Sequence, residues 1–283
     1  MPLLAIPNVS EGRDKARITS LAGAITDRGA RLLDIHSDAQ HNRSVLTVTA
    51  DPPALVAAMV ALAAACTKSD LSRHEGAHPR LGVLDVCPIV PFRAALRDAV
   101  GVARSVALGI GASGIPVFLY GDATQRAETV ELPALRRGGL EGLAERVRTG
   151  LRPDEGPAEI DPRVGVVCVG ARGPLIAFNV NIDADLEDAE VIVRWVRRAG
   201  SLRALALPAT AGAQVSMNLI APEELGIEDA FALVSVAAEM RGIDVISTEI
   251  VGLVEEHFLP DPDAQVARLL IEPGHSVESA LRD

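Results

Sequence analysis

Aromatic side chains are scarce in this chain of 283 residues, since phenylalanine, tryptophan and tyrosine together make up 2%. Because apolar residues still account for 48%, the core must consist mainly of alanine, valine, leucine and isoleucine. Lysine is also rare, with Lys15 and Lys68 as its two members, and the net charge is -11. This charge argues against nucleic acid as a partner, because phosphate binding requires clustered positive charge.

Cysteines and long apolar runs are few as well. The three cysteines, Cys66, Cys87 and Cys168, fit neither a disulfide framework nor a CxxC metal pair, and we expect them to be reduced and buried. No apolar run reaches the roughly 18 residues of a membrane span, and the amino terminus lacks the basic region of a signal peptide. The sequence therefore predicts a soluble, cytoplasmic globular protein that does not enter a membrane.

Short runs rich in valine, isoleucine and leucine alternate with longer alanine-rich amphipathic segments. The predicted strands are 3–9, 31–35, 44–50, 83–89, 117–120, 164–169, 175–182, 204–207, 214–219 and 245–251. The predicted helices are 15–28, 53–66, 93–108, 186–198 and 227–240. Both halves follow the order strand, helix, strand, strand, helix, strand, which is typical of a ferredoxin-like α+β sandwich. The stretch 149–163, rich in proline and glycine, is the best candidate for a linker.

The stretch HEGAH, from His74 to His78, matches the H-E-x-x-H pattern of zinc metalloproteases. In those enzymes the two histidines bind one zinc ion because they lie one turn apart on a helix. Here Gly76 lies between the histidines and Pro79 follows them, and both residues disfavour a helix. No third ligand stands at a suitable spacing. We therefore predict a loop that holds no metal.

This loop is unusually dense in polar side chains. A histidine in such a loop can remove and return a proton near neutral pH, and neighbouring arginines can bind carboxylates. The pattern favours group transfer between anionic small molecules, whereas the alternative is a pair of surface histidines without a role. The side chains concerned are Ser72, Arg73, His74, Glu75, His78, Arg80 and Asp85, with Arg43 upstream.

SRHEGAHPRLGVLDVCPIVP, residues 72–91, resembles the signature of the formiminotransferase domain family. Any one motif is weak, but several resemble the family in the same order along the chain. The other matching segments are IPNVSEGRD at 6–14, HNRSV at 41–45, VFLYG at 117–121, VGARGPLIAFNVNI at 169–182, QVSMNL at 214–219 and IVGLV at 250–254.

The resemblance implies transfer of the formimino group from N-formimino-L-glutamate to N5 of tetrahydrofolate, a step of histidine degradation and one-carbon metabolism. It implies two ferredoxin-like α/β sandwich subdomains, 1–174 and 175–283, whose sheets face each other across a folate-binding cleft. Tetrahydrofolate is the implied co-substrate, no metal is required, and a homodimer is expected. Because the chain ends without a cyclodeaminase domain, a separate cyclodeaminase is expected to act downstream.

The resemblance also assigns site residues. It implies that His78 is the general acid/base, and we expect His74 and Asp85 to support it. The folate-contacting segment maps onto 156–165, so that 149–163 is better interpreted as a ligand-binding hinge. Its matching residues are Gly156, Pro157, Pro162, Arg163 and Gly165, whereas Ile160 and Val164 stand where the family can have aromatic residues. The expected substrate-binding residues are Asn8, Ser10, Glu11, Asn42, Arg43, Arg73, Arg80, Asn179, Asn181 and Asn218.

Some of these residues have a second interpretation. Asn8, Ser10 and Glu11 line the cleft or belong to a helix cap, because S-E-G-R is also typical of a cap. Asn179 and Asn181 alternate along a strand, so both should point to one side, and asparagine is poorly suited to strands.

Two alternative functions stay open at this point. One is the same scaffold with a formyl or formiminoglycine donor, or a folate cyclo-ligase-like activity. The other is a non-catalytic protein that binds folate or a partner.

Overall fold

The computed structural model describes residues 3–76 and 79–282, so the predicted catalytic His78 lies outside the described residues. The chain divides into two compact units, one that ends at Gly173 and one that begins at Pro174. Each unit contains a sheet with helices on it, which confirms the predicted α+β class. Along the described parts of the chain, no helix is both long and apolar enough to cross a membrane.

The first unit is built on a seven-stranded sheet. Its strands are β1 (Leu3–Ala5), β2 (Asn8–Val9), β3 (Arg31–Asp38), β4 (Arg43–Ala50), β5 (Leu84–Pro91), β6 (Val117–Gly121) and β7 (Val167–Ala171). Its helices are α1 (Lys15–Thr26), α2 (Pro52–Cys66), α3 (Leu96–Ala112), α4 (Leu132–Arg136) and α5 (Gly139–Arg148). The strands β1 and β2 both lie between β4 and β5 and form one interrupted strand.

The elements β1 to β5 form a ferredoxin-like layer, because β3, β4, β1 with β2, and β5 follow one another as antiparallel neighbours. Beyond that layer, β7 pairs parallel with β5, and β6 pairs parallel with β7. The long helix α3 connects β5 to β6, as a parallel crossover requires. The first unit is therefore a ferredoxin-like layer that β6 and β7 extend at one edge.

The second unit has a four-stranded antiparallel sheet in the order β11-β8-β10-β9. Its strands are β8 (Ile176–Ile182), β9 (Leu202–Pro208), β10 (Ala213–Leu219) and β11 (Val245–Val251). Its helices are α6 (Leu186–Val196), α7 (Ile227–Glu239), α8 (Gln265–Arg268) and α9 (Val277–Arg282). This order is again ferredoxin-like, as predicted.

Alternation along the strands gives each ferredoxin-like layer one apolar face, which the main helices cover, and one opposite face with more polar residues. In β4, Leu46 and Val48 are fully buried in the core that also contains residues of α1, α2 and α3. In β8, Phe178 and Val180 pack with residues of α6 and α7. Thr47 and Asn179, which lie between these apolar positions, point to the opposite face. In the first unit α4 and α5 pack on that opposite face, in a second apolar cluster with Phe118 and Tyr120.

Several predictions about the elements need correction. The predicted strand 3–9 is interrupted at residues 6 and 7, and the third predicted helix begins at Leu96, because Arg93 has a positive φ of 54°. Helices α4 and α5 were not predicted. The stretch 149–163 is not a linker between the units, since it belongs to the first one. There the backbone of Glu155 accepts a hydrogen bond from Val117 N at 2.9 Å.

The three cysteines are free and buried, as predicted. Burial raises the pKa of the Cys66 and Cys87 thiols to about 12. Both therefore stay protonated at neutral pH and behave as small apolar side chains.

Candidate active site

The loop after α2 begins with a 3-10 turn, Leu71–Arg73, and His74 follows it in an extended conformation with φ -82° and ψ 128°. His74 to Gly76 are not helical, so for the described part of HEGAH the predicted loop is confirmed. Asp70 caps the turn, because its side chain accepts a hydrogen bond from Ser72 N at 3.1 Å. Helix α2 has already ended at Cys66, and Asp70 starts only the short turn that precedes His74.

His74 is held on both ring nitrogens. Its Nε2 lies 2.8 Å from the carbonyl oxygen of Asn42, and its Nδ1 contacts Nη1 of Arg80. Because a guanidinium only donates and a carbonyl only accepts, His74 must accept at Nδ1 and donate from Nε2. This fixes the neutral tautomer with the proton on Nε2. Neither nitrogen is left to bind a metal or to carry a proton to a substrate.

Asn42 connects this loop to two other segments. Its side chain accepts a hydrogen bond from Gly12 N at 2.9 Å and donates one to the carbonyl of Glu75 at 3.0 Å. The residue has a positive φ of 49°, a conformation that asparagine adopts more readily than most residues. It is 8% exposed, so the protein itself occupies both ends of its amide. Asn42 therefore holds the loop in place.

Gly76 and Arg80 complete this arrangement, which we call the loop clamp: Asn42, His74, Gly76 and Arg80. Arg80 Nη2 donates to the carbonyl of Gly76 at 2.6 Å. A Cβ atom at Gly76 would lie 2.3 Å from the carbonyl oxygen of His41, so only glycine fits there. The clamp fixes the chain immediately before residues 77 and 78.

No cluster of three histidine, cysteine, aspartate or glutamate side chains suited to a metal occurs in residues 3–76 and 79–282. His74 gives no support to the zinc interpretation of HEGAH, because both of its ring nitrogens have partners within the protein.

A buried ionic cluster lies on the polar face of the first sheet. Asp85 on β5 is 0% exposed, and its Oδ2 pairs with Nη1 of Arg43 at 2.8 Å and with Nη2 of Arg136. Its Oδ1 accepts a hydrogen bond from Leu81 N at 2.7 Å. Arg43 also donates to Oδ1 of Asn8, from Nη2 at 2.7 Å and from Nε at 3.1 Å. We call Asn8, Arg43, Asp85 and Arg136 the Asp85 cluster.

The charges in this cluster shift one another's pKa. Burial alone would raise the pKa of Asp85, but the guanidinium groups of Arg136 and Arg43 lower it to about 2. Burial lowers the pKa of Arg43, and Asp85 opposes that shift. Asp85 is therefore ionised at neutral pH and cannot act as a proton donor. Its chemical contribution is a fixed negative charge that orients two arginines.

A bulge in β5 aims the carboxylate of Asp85. Asn8 pairs with Val86 and Val9 pairs with Leu84, so Asp85 is the extra residue between these two pairs. Leu84 can therefore join the core under the helices while Asp85 reaches Arg43 on the opposite face. Bulges commonly re-aim a side chain near an active site.

Ser10 and Glu11 have local partners. Ser10 is buried, and its hydroxyl donates to the carbonyl of Gly82 at 2.8 Å. Glu11 Oε1 accepts hydrogen bonds from the backbone N–H groups of Arg13 and Asp14, both at 2.9 Å. Asp14 is the N-cap of α1, so Glu11 organises the turn before the cap. The cap thus lies one residue after S-E-G-R, and of the three predicted residues Glu11 alone contacts it.

The predicted folate segment, 156–165, contacts the HEGAH loop on both sides, at Leu71 before it and at Gly82 after it. The carbonyl of Arg163 accepts a hydrogen bond from Leu71 N at 2.7 Å, and Gly165 forms a bridge with Gly82. Gly156 and Gly165 both have positive φ values, of 80° and 77°, which favour glycine. Pro157, Pro162 and Arg163 are exposed on the same stretch.

The polar face of the second sheet carries side-chain amides. Asn179 and Asn181 lie on one face, as predicted, and donate to Glu249 Oε2 at 2.9 Å and to Ser247 Oγ at 3.0 Å. Gln214 Nε2 donates to Asn181 Oδ1 at 3.1 Å. Asn218 lies on the neighbouring strand and is exposed. We call the set Asn179, Asn181, Gln214, Ser247 and Glu249 the amide ladder.

The sequence model for the formiminotransferase domain, N-terminal subdomain, matches residues 3–172. The chain belongs to the formiminotransferase family. A glutamate formimidoyltransferase of Streptococcus pyogenes serotype M1 is 37% identical to it, over 94% of this chain and 96% of that protein. A protein of the same name from Thermoplasma acidophilum is 36% identical, over 90% of this chain and 89% of its own. The formimidoyltransferase-cyclodeaminase of Sus scrofa is 35% identical over 92% of this chain, which spans 51% of that longer protein.

Several predicted formiminotransferase site residues meet within the first unit. Asn8, Arg43 and Asp85 form one cluster, while Asn42, His74 and Arg80 form the loop clamp. Arg73 is exposed beside the clamp, and Arg163 contacts the same turn through its backbone. Asn179, Asn181 and Asn218 belong to the second unit.

Sequence reasoning missed Arg136, the second partner of Asp85. It ends helix α4, which begins with Leu132 and Pro133. Proline in the first turn is a known start signal of helices and could have revealed α4. Nothing in the sequence connects Arg136 with Asp85, because the two residues are 51 positions apart.

Tyr120 and Arg172 were also missed. Burial raises the pKa of Tyr120 to about 12, with Arg172 acting in the opposite direction. A Cβ atom at Gly170 would lie 2.5 Å from the Tyr120 ring, so glycine makes room for the ring. Two segments that resemble the family, VFLYG at 117–121 and VGARG at 169–173, therefore pack against each other here.

Proposed function

We propose that the chain is a glutamate formimidoyltransferase, which transfers the formimino group of N-formimino-L-glutamate to N5 of tetrahydrofolate. The observation that carries the proposal is the nearly full-length match to two relatives of that name, from Streptococcus pyogenes and Thermoplasma acidophilum. The clamped loop and the buried arginines of the first unit support it, since both suit anionic substrates.

The chemistry of this transfer is a nucleophilic exchange at one carbon atom. N5 of tetrahydrofolate attacks the formimino carbon, a C–N bond forms, and the C–N bond to glutamate breaks. The proton lost from N5 is regained by the departing amine. We propose His78 as the general acid/base that carries it, which is typically worth about 10² to 10⁴ in rate. Holding both substrates together can contribute about 7 to 11 kcal/mol more.

We propose distinct roles for the groups around His78. His74, Asn42 and Arg80 position the loop, because their polar atoms are engaged within the protein. Asp85 orients Arg43, whose side chain is 12% exposed and is proposed to anchor a carboxylate together with Asn8. Ser10, Glu11 and Arg73 are proposed to contact the donor. The folate is proposed to bind Gly156, Pro157, Pro162, Arg163 and Gly165. For Asn179, Asn181 and Asn218 of the second unit, substrate binding stays the proposal.

The finer expectations are proposals as well. We propose a cytoplasmic homodimer with the subdomains 1–174 and 175–283, tetrahydrofolate as co-substrate and no metal requirement. A separate cyclodeaminase is proposed to act on the product. Sedimentation of the purified protein tests the dimer, and activity after dialysis against a chelator tests the metal requirement.

The decisive experiment offers tetrahydrofolate with N-formimino-L-glutamate, formiminoglycine or N-formyl-L-glutamate in separate assays. We expect 5-formiminotetrahydrofolate from the first donor at the highest kcat/KM. His78→Ala should lower kcat by at least about 100-fold while tetrahydrofolate still raises Tm. His257→Ala, in an exposed histidine of the second unit, is the matched control. Preference for another donor would contradict the glutamate assignment, and folate binding without any turnover would favour a non-catalytic protein.

A further inference from the structure

A cavity of about 530 Å³ lies entirely within the first unit. It is bounded by the start of α1, the residues after α2 and the turn Leu71–Arg73. Asn42 and His74 of the loop clamp form part of its wall, so the cavity borders the loop that contains His78 in the sequence. Its charged wall residues are Glu11, Asp14, Arg17, Lys68, Asp70 and Arg73.

Three of these charged side chains already stabilise the local backbone. Asp14 caps α1 by accepting from Arg17 N at 3.0 Å. The Arg17 side chain donates to the carbonyl of Ala65, at the end of α2, at 2.6 Å and to Ser69 Oγ at 3.0 Å. Asp70 accepts from both the backbone and the hydroxyl of Ser72. These contacts hold Asp14, Arg17 and Asp70 in the wall of the cavity.

The other charged groups have unused capacity. Lys68 and Arg73 are exposed, and in the described ranges neither side chain forms a hydrogen bond or an ion pair. The charge of Arg73 reaches Asp70, whose pKa is lowered first by its hydrogen bond to Ser72 and less strongly by Arg163 and Arg73. Glu11 uses Oε1 for its two backbone contacts, and no described residue hydrogen bonds to its Oε2. Among the charged residues of the wall, Lys68 and Arg73 are thus the two cations without a side-chain partner in the described ranges, and Glu11 has one unengaged oxygen.

The wall is too polar for a pterin ring. Leu71 and Val83 are its apolar side chains, whereas pockets for flat aromatic ligands are lined mostly by apolar and aromatic groups. A small, highly charged ligand suits the cavity better. N-formimino-L-glutamate has two carboxylates and a basic amidine, which match two cations and one carboxylate oxygen in number and sign.

We propose that this cavity is the binding site of the amino-acid donor, with Lys68 and Arg73 binding its carboxylates and Glu11 binding its amidinium group. The inference rests on the proposed function and adds to it the residues that select a dicarboxylate. Lys68 is the new element, because it is one of two lysines in the chain and lies on this wall.

Steady-state kinetics of Lys68→Met and Arg73→Met test the proposal. Each variant should raise KM for N-formimino-L-glutamate about tenfold, as expected for losing one charge-assisted contact. KM for tetrahydrofolate should stay within about twofold of wild type, because the pterin binds elsewhere. Lys15→Met, in the other lysine, and Arg28→Met, in an exposed arginine at the end of α1, are the matched controls.

Formiminoglycine sharpens the test, because it lacks the side-chain carboxylate. With this donor, one of the two variants should no longer differ from wild type in KM, which identifies the residue that binds the missing group. Unchanged donor KM in both active variants, or an increase in the KM for tetrahydrofolate instead, would overturn the proposal and leave the transferase function intact.

Calorimetry separates a failure of this inference from a failure of the proposed function. N-formimino-L-glutamate is titrated into wild type, Lys68→Met and Lys15→Met without folate. If wild type does not catalyse transfer, the proposed function fails. Weaker binding by Lys68→Met than by both other proteins would still support the donor site, whereas equal binding by all three would overturn it.

Discussion

The two units have the same ferredoxin-like layer, yet they organise the polar face of that layer in different ways. In the first unit, one buried carboxylate, Asp85, pairs with Arg43 and Arg136. In the second, the amide groups of Asn181 and Gln214 bond to each other and to a hydroxyl. Breaking a buried ion pair costs several kcal/mol, whereas a neutral hydrogen bond contributes about 1 kcal/mol. The same fold thus holds one rigid ionic site and one weaker, mainly neutral surface.

The largest expected effect comes from removing the charge of Asp85. Asp85→Asn should lower the free energy of unfolding by about 3 kcal/mol, because it leaves two largely buried arginines without a counter-ion. Urea denaturation followed by circular dichroism measures the loss. Asp122→Asn, at an exposed aspartate directly after β6, is the control. A loss below about 1 kcal/mol would mean that the cluster is solvated and resembles the amide ladder.

A smaller effect on the free energy of unfolding is expected when the pH is lowered. Burial would raise the pKa of Asp85, but the arginines hold it at about 2, below its ordinary 3.8. A depressed pKa means that the stabilisation is complete above the unfolded value and is lost as pH falls through about 2. The wild type should therefore lose about 2 kcal/mol more than Asp85→Asn between pH 5 and the acid limit. Parallel stability curves for the two proteins would contradict the assignment.

The smallest effect is expected in the amide ladder. Asn181→Ala removes hydrogen bonds to Ser247 and Gln214 and should cost about 1 kcal/mol of unfolding free energy. Because these three side chains carry no charge, the cost should be the same at pH 3 and at pH 7. The exposed Asn218→Ala is the control, with an expected change within about 0.5 kcal/mol. A strong pH dependence would show that the second face is ionic after all.

The sequence predicts the two ferredoxin-like layers and the faces of their strands, but it does not predict the partners of the buried Asp85. Alternation along β8 correctly placed Asn179 and Asn181 on one face, and the order of strands and helices correctly predicted both ferredoxin-like layers. These features follow from local periodicity, which a sequence contains directly. The partner of a buried charge does not follow from periodicity. The pairing of Asp85 with Arg136 depends on how α4 packs on the sheet, which is a tertiary property.

His74 illustrates the same limit at the scale of one side chain. Gly76 and Pro79 predicted a loop, which is confirmed as far as Gly76, and His74 was expected to support the acid/base chemistry. The structure gives it partners at both nitrogens, Arg80 and Asn42, and so favours a positioning role. A histidine side chain can exchange a proton near neutral pH, and the sequence predicts no more than that. Whether a ring nitrogen of His74 is free for the exchange depends on its neighbours in the folded protein.

Because of the bulge at Asp85, strand β5 should not tolerate the gain or loss of a single residue at this place. Side chains alternate between the two faces of a strand, so removing one residue here would exchange the positions of Leu84 and Asp85 relative to the sheet. The carboxylate would then enter the alanine-rich core without an arginine partner, and a leucine would replace it beside Arg43. Surface loops tolerate insertions and deletions well. Between Leu81 and Val86, however, each single-residue insertion or deletion should be selected against, so the number of residues there is as restrictive as their identity.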